Sequence, residues 1–132
     1  MEFTISTHKE AYTIEALVKG IGPDILVAIW GGRSHIGAVG VAQPRPSLKD
    51  TDKISATASV FCFLGHKEDV VVKEAAERIS SAINANVVVT AGIHWYEIDE
   101  SGITCVMEKT RELVGLIIER IGTEISGQSD GE

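Results

Sequence analysis

Positive charge is scarce in this sequence, which has 12 lysine and arginine residues against 19 aspartate and glutamate residues. The formal net charge of −7 argues against a general nucleic-acid binder, because such a protein needs a basic face to neutralise phosphates. Long apolar runs are also missing, and none reaches the length needed to cross a bilayer. No basic segment followed by an apolar one marks a signal peptide, so we expect a soluble protein of the cytoplasm.

Cysteine is rare as well. Only Cys62 and Cys105 occur, and they form no CxxC motif. Cys62 falls in a strand-like pattern and Cys105 in a helix-like one. We therefore expect two buried thiols in a reducing compartment rather than a disulfide framework.

Apolar residues, by contrast, make up 44% of the 132 positions, and the mean hydropathy is slightly positive. This length and composition predict one compact domain, which we place at residues 1–122, and favour a homo-oligomer that buries further surface. Residues 123–132 are small, polar and acidic, and we expect a flexible tail there.

Two periodicities divide the chain. Alternating or continuous apolar runs predict strands, and apolar residues at i, i+3, i+4 and i+7 predict helices. The predicted strands cover residues 2–6, 11–19, 25–30, 36–42, 55–64 and 87–90, the predicted helices cover 72–83 and 103–121, and a loop covers 43–53. This order predicts a two-layer α+β domain, with a mostly antiparallel or mixed β-sheet covered by two helices.

Three of the four histidines lie in short glycine-containing segments at the edges of predicted strands. The segments are 31–37 with His35, 64–69 with His66, and 91–94 with His94. Glycine lets the backbone approach a ligand closely, and imidazole binds metals or moves protons near neutral pH. These shared features predict one composite site built from three distant parts of the chain.

The segment Gly65-His66-Lys67-Glu68-Asp69 joins a predicted strand to a predicted helix. The free N–H groups of a helix start suit a phosphate or a carboxylate, and Lys67 adds a positive charge. The simpler interpretation is ordinary helix capping, with Glu68 and Asp69 in a solvated first turn.

The glycine turn at 31–35 also has two interpretations. Arg33, after Gly32, could pair with an anion while His35 faces a cleft. Alternatively, the segment is a hairpin turn whose polar residues are merely exposed. It is not a dinucleotide-binding fingerprint, because it lacks the GxGxxG spacing and precedes a strand.

His94 follows a buried strand and has Glu97 and Asp99 close behind it. Imidazole together with carboxylate suits a divalent ion, so His35, His66 and His94 are candidate metal ligands. A single histidine at a strand end is nevertheless common without any metal.

The predicted loop at 43–53 carries Arg45, Lys49 and Lys53. These cations could form a lid over an anionic ligand, since ligand-binding residues are often found on loops. A solvated loop with scattered lysines is the alternative.

These segments, taken in order, resemble the LpdD-like family of small proteins, which are described as prenylated-flavin chaperones and are associated with gallate-type decarboxylases. The resemblance rests on residues 31–39, 45–50, 55–60, 65–69 and 91–94. An ordered series of motifs is more specific than any one of them.

The resemblance implies a protein that binds prenylated FMN, or FMN, and assists its delivery or maturation for UbiD-type decarboxylases. The flavin phosphate is then expected at the 65–67 segment, with Arg33 or Arg45 as its partner, and the histidines would hold a metal or tune the ring system. The motif positions that carry over are His35, Gly65, His66, Lys67, Asp69 and His94. One departure is Tyr96, where the resemblance implies an aspartate, and Glu97 or Asp99 could substitute for it.

Two other functions stay open. A metal-dependent enzyme such as a hydrolase would hold a divalent ion with the three histidines and use Glu68, Asp69 or Glu97 as a base. An oligomeric scaffold without a small-molecule site would leave the three histidines far apart and solvated.

Overall fold

The computed structural model describes residues 1–7, 11–63 and 68–130, and these residues form a two-layer α+β fold. The predicted fold class is therefore confirmed. In chain order the elements are β1 (Glu2–Ser6), β2 (Ile14–Ile21), β3 (Asp24–Gly32), β4 (Ala38–Pro46), β5 (Ile54–Cys62), α1 (Asp69–Ile83), β6 (Val87–His94) and α2 (Glu100–Asp130).

The six described strands form one mixed sheet in the order β1-β2-β3-β6-β4-β5. The pairing is antiparallel everywhere except between β3 and β6, which run parallel. Strand β6 thus lies between β3 and β4. The interpretation of residues 31–35 as a hairpin turn is wrong, because the segment connects two strands that are not neighbours.

The core lies between one face of the sheet and the two helices. Side chains alternate across a strand, so every second residue of β2, β3 and β6 points to this face. The strand residues buried there include Ile14, Val18, Val27, Ile29, Val87 and Val89, and the helix residues include Val72, Ile79, Leu113, Ile117 and Ile121. Each fully buried side chain of this size contributes roughly 1.5–3 kcal/mol.

The helix ends follow local signals in the sequence. Helix α1 ends at Asn84, as predicted, in a left-handed conformation with φ of 58°, and the Asn84 N–H donates to the Ser80 carbonyl at 2.8 Å. Near the start of α2, the Gly102 N–H donates to the Asp99 carboxylate at 2.7 Å. Helix α2 continues past Ile121 to Asp130. Neither described helix has an apolar stretch long enough to cross a bilayer.

An ion pair links the two helices on their solvent side. The Arg111 Nε donates to the Glu74 Oε1 at 2.8 Å. This hydrogen bond holds the pKa of the Glu74 carboxyl below its ordinary value. Because both side chains are partly exposed, the pair adds little to the stability of the helix layer.

Residues 43–46 were predicted as loop, but they continue β4 and pair with β5 as far as Pro46 opposite Ile54. The backbone N–H groups of a strand point alternately to its two neighbours, and at Pro44 and Pro46 the nitrogen points away from β5. On that side β4 no longer pairs with β6, whose pairing stops at Ala42. Proline is tolerated there because no partner needs its missing N–H.

The connection between β3 and β4 must cross the end of β6, and it crosses at Gly92. A Cβ atom added to Gly92 would lie 1.6 Å from the carbonyl oxygen of His35. The Gly37 N–H also donates to the Ala91 carbonyl at 2.8 Å. The loop can therefore lie directly on the strand only because residue 92 has no side chain.

We expect Gly92→Ala to lower the free energy of unfolding by about 3 kcal/mol, near the upper end of the usual cost of overpacking. Gly122→Ala is the matched control, because a Cβ at this helical position meets no atom within 4 Å. It should raise the free energy of unfolding by about 0.5–1 kcal/mol, since alanine is the better helix former. Urea unfolding followed by circular dichroism measures both, and equal effects of the two substitutions would contradict the close approach at Gly92.

Candidate functional site

The crossing of β6 by the β3–β4 connection brings two of the glycine-containing segments together. The Arg33 N–H donates to the His94 carbonyl at 2.8 Å. Gly32, with φ of +66°, makes the turn into the connection, and a Cβ there would lie 2.0 Å from the same His94 oxygen. The backbone at 32–35 and the end of β6 therefore form one hydrogen-bonded unit.

The third segment reaches the same place through Glu68, which directly precedes α1. The Oε1 atom of Glu68 lies 3.0 Å from the Nε2 atom of His35. The same Oε1 accepts a hydrogen bond from the Ile93 N–H at 3.3 Å. The structure thus joins the described parts of all three segments, with Glu68 as the common partner.

Glu68 is unusual because it is a carboxylate with only 7% of its surface exposed. Burying a carboxylate is costly unless it is paired and hydrogen-bonded, and here the imidazole and a backbone N–H supply partners. Because Glu68 is the residue before α1, its side chain also fixes the start of the helix against the end of β6.

The hydrogen bonds of His35 fix where one of its protons lies. Its Nδ1 atom is 2.8 Å from the Arg33 carbonyl oxygen, which can only accept, so Nδ1 carries a hydrogen. Its Nε2 atom then faces the Glu68 Oε1, and a hydrogen bond between them requires a proton on one of the two atoms. A carboxylate and an oriented imidazole in this arrangement can hold a proton or exchange one with a bound molecule.

The structure places some of the predicted anion-binding and metal-binding residues at this junction and others far from it. Arg33 and His94 are exposed side chains of the joined segments. Asp69 is the first residue of α1 and is also exposed. Arg45 is not brought to this place. It lies near the far end of β4, roughly 24 Å from Ala38 at a strand rise of about 3.4 Å per residue.

Arg45 has structural partners where it lies. Its Nε donates to the Thr57 hydroxyl at 2.7 Å, and its Nη1 donates to the Pro46 carbonyl at 3.1 Å. Lys49 and Lys53 lie in the connection between β4 and β5, exposed to solvent and at the same distant end. The three cations of the predicted lid are thus separated from His35.

Gly65, His66 and Lys67 lie outside the described residues. The prediction of a metal site with His35, His66 and His94 therefore stays a prediction. Within residues 1–7, 11–63 and 68–130, no group of three histidine, cysteine, aspartate or glutamate side chains is close enough to hold a metal ion.

The sequence analysis missed the role of Glu68 as the partner of His35. It treated Glu68 as a charge of a solvated first helix turn or as a possible base, and the 33 residues between the two positions give no local signal of contact. It also missed an aromatic contact beside the site. Tyr12 and Trp95 pack edge to face with their ring centroids 5.1 Å apart, where β6 has just ended.

Comparison with known proteins gives three findings. Residues 8–122 match the family model described as a prenylated flavin chaperone LpdD-like domain. The chain is 28% identical over 116 residues to Protein LpdD of Lactiplantibacillus plantarum, covering 87% of this chain and 82% of that protein. It also resembles the crystal structure of a chaperone complex for yeast 20S proteasome assembly, with a TM-score of 0.51 and 16% identity over 93% of this chain and 97% of the other. At that identity the last likeness shows the fold alone.

Glu68→Ala should lower the free energy of unfolding by about 1–3 kcal/mol, because it removes a buried acceptor of the His35 ring and the Ile93 N–H. Glu68→Gln, which keeps an acceptor oxygen, should cost less. The matched control is Glu77→Ala, which breaks a partly exposed pair with Lys73 on the same helix and should cost at most about 0.5 kcal/mol. Denaturant unfolding of the three variants tests this, and a Glu68→Ala effect no larger than that of Glu77→Ala would rule out a structural pair.

Proposed function

The chain belongs to the LpdD-like family of prenylated flavin chaperones, and from this membership we propose that it binds prenylated FMN and assists its delivery or maturation for a UbiD-type decarboxylase. The observation that carries the proposal is the family match over residues 8–122, which includes all three glycine-containing segments. The chemistry of the residues that these segments bring together supports it.

The polar groups at the junction match the phosphate end of a flavin nucleotide. The exposed guanidinium of Arg33 and the exposed imidazole of His94 belong to segments joined by the Arg33 N–H to His94 carbonyl hydrogen bond. A guanidinium binds phosphate through two parallel N–H groups, and an imidazole can donate a further hydrogen bond. We assign the phosphate to Arg33 and His94, with His66 and Lys67 as further candidates from the family resemblance.

His35 supplies a different function. Its ring is one-fifth exposed, and its two nitrogens are held by the Arg33 carbonyl and by Glu68. A bound flavin would bring a redox-active ring system that takes up and releases protons. The His35–Glu68 pair can stabilise such a ring by giving a proton to it or receiving one from it.

The composition is consistent with a carrier that hands its ligand to another protein. The net charge of −7 gives the surface no general affinity for nucleic acid. Arg33 and His94 are solvent-accessible at the end of two parallel strands, so a ligand held there remains open to a receiving enzyme. We therefore place the function in binding and transfer.

Anaerobic titration of the purified protein with prenylated FMN and with FMN, followed by absorbance, tests the proposal. The wild type should bind the prenylated form saturably. Arg33→Gln and His35→Ala should each weaken binding about 10-fold or more, the usual effect of losing a hydrogen bond to a charged group.

Arg45→Gln is the matched control, because this arginine lies at the far end of β4 and should leave binding unchanged. Absence of saturable binding of either flavin would refute the proposed function. An equal loss in Arg33→Gln and Arg45→Gln would refute the assignment of the phosphate. Metal analysis of the same samples tests whether a divalent ion accompanies the flavin.

A further inference from the structure

The sheet face that points away from the helices has an unusual composition for a surface in contact with water. A half-solvated antiparallel sheet normally carries polar residues on its outer face. Here alternation along the strands places a cluster of apolar side chains in the middle of the outer face, with polar residues such as Thr4, Gln43 and Ser59 around it, and we call this surface the open face. Its main apolar residues are Leu17, Leu26, Val39, Val41, Val88 and Phe61.

These side chains form a continuous patch. Leu26, Val88 and Val41 are register partners on three neighbouring strands, so they lie side by side across the middle of the sheet. One step along the strands, Val39 is the partner of Phe61. Val41 is 49% exposed and Phe61 is 63% exposed. A contiguous exposed patch of this kind marks an interaction surface, whereas single exposed apolar residues do not.

The size of the open face matches what a stable dimer needs. Six strands at about 4.8 Å spacing and strands of up to nine residues at about 3.4 Å per residue give a face on the order of 700 Å². Two such faces packed together would bury on the order of 1,400 Å² in total, within the usual range for specific interfaces. Sheets pack face to face in this way about 10 Å apart in β-sandwiches.

The charges on the open face are self-complementary. On β2, Glu15 and Lys19 lie on either side of Leu17 and point to the same face. Within one chain Lys19 pairs with Glu2 at 3.3 Å and Glu15 accepts from the Trp30 Nε1 at 2.9 Å, so a contact with a second copy would add to these contacts. If a second copy packs with its β2 reversed, Leu17 meets Leu17, and each Glu15 meets the partner's Lys19. Every contact is then made twice, as an isologous two-fold interface requires. In the middle of the face, the register partners Leu26, Val88 and Val41 place no charge that would repel an equally acidic copy.

We propose that this protein is a homodimer whose interface is the open face, with the two β2 strands packed in opposite directions. The proposal is independent of flavin binding. It makes the molecule four layers thick, with the two sheets inside and a pair of helices on each outer side.

Sedimentation velocity of the purified chain at micromolar concentration should give twice the 14.2 kDa of one chain. Val41→Glu should weaken the dimer at least about 100-fold, because each protomer then brings one unpaired charge into the interface. Since Val41 is 49% exposed in the single chain, the variant monomer should fold normally, and circular dichroism checks this. Ile103→Glu is the matched control on α2, where the side chain is 51% exposed, and it should remain dimeric.

The charge pair tests the direction of packing. Lys19→Glu places like charges opposite each other at two points and should weaken the dimer about 10-fold or more. Adding Glu15→Lys to Lys19→Glu restores opposite charges across the two-fold axis and should recover most of the affinity. Any one of four results would overturn the proposal: a monomeric wild type, a dimer that survives Val41→Glu, a dimer that Ile103→Glu weakens as much as Val41→Glu does, or a double variant whose affinity is not recovered. A monomeric wild type would leave the open face to a different protein.

Discussion

The close passage of the β3–β4 connection over Gly92 is the constraint on which the rest of this structure depends. Strand β6 follows β3 and β4 in the chain but lies between them in the sheet. The connection from β3 to β4 must therefore cross the end of β6. The crossing leaves no room for a side chain at residue 92 and is fixed by backbone hydrogen bonds from Arg33 and Gly37 to the end of β6. The position of His35 follows from it.

A second consequence concerns Glu68. The crossing places the His35 ring and the Ile93 N–H beside the start of α1, where a buried carboxylate can accept from both. Without these partners, burial of Glu68 would be unfavourable. The same contacts that define the site thus also hold the connection, the helix start and the strand end together. A change in the state of the pair, such as proton exchange with a ligand, would act on all three segments at once.

The fold class could be predicted because each element carries its own periodicity. Alternation in β2 and β3 and the helical spacing from Val72 to Ile83 are local signals, and so is the helix stop at Asn84. Strand order is not a local property, because the pairing of Leu26 with Val88 joins residues far apart in the chain. For that reason the sequence left a hairpin turn open as one of two interpretations of the 31–35 segment. The same limit hid the contact of His35 with Glu68, although the sequence predicted that their segments meet.

One side of the sheet carries the core of this small chain, and the opposite side carries the proposed docking surface. The helix side takes the buried side chains, and the ion pair of Glu74 with Arg111 lies on the outer surface of that layer. The open side keeps apolar residues at the surface, and the site lies at the strand ends between the two. In the proposed dimer the strands of the two copies run in opposite directions, so the two His35–Glu68 pairs lie at opposite ends of the molecule. In that arrangement dimerisation would stabilise the fold and keep the two His35–Glu68 pairs far apart.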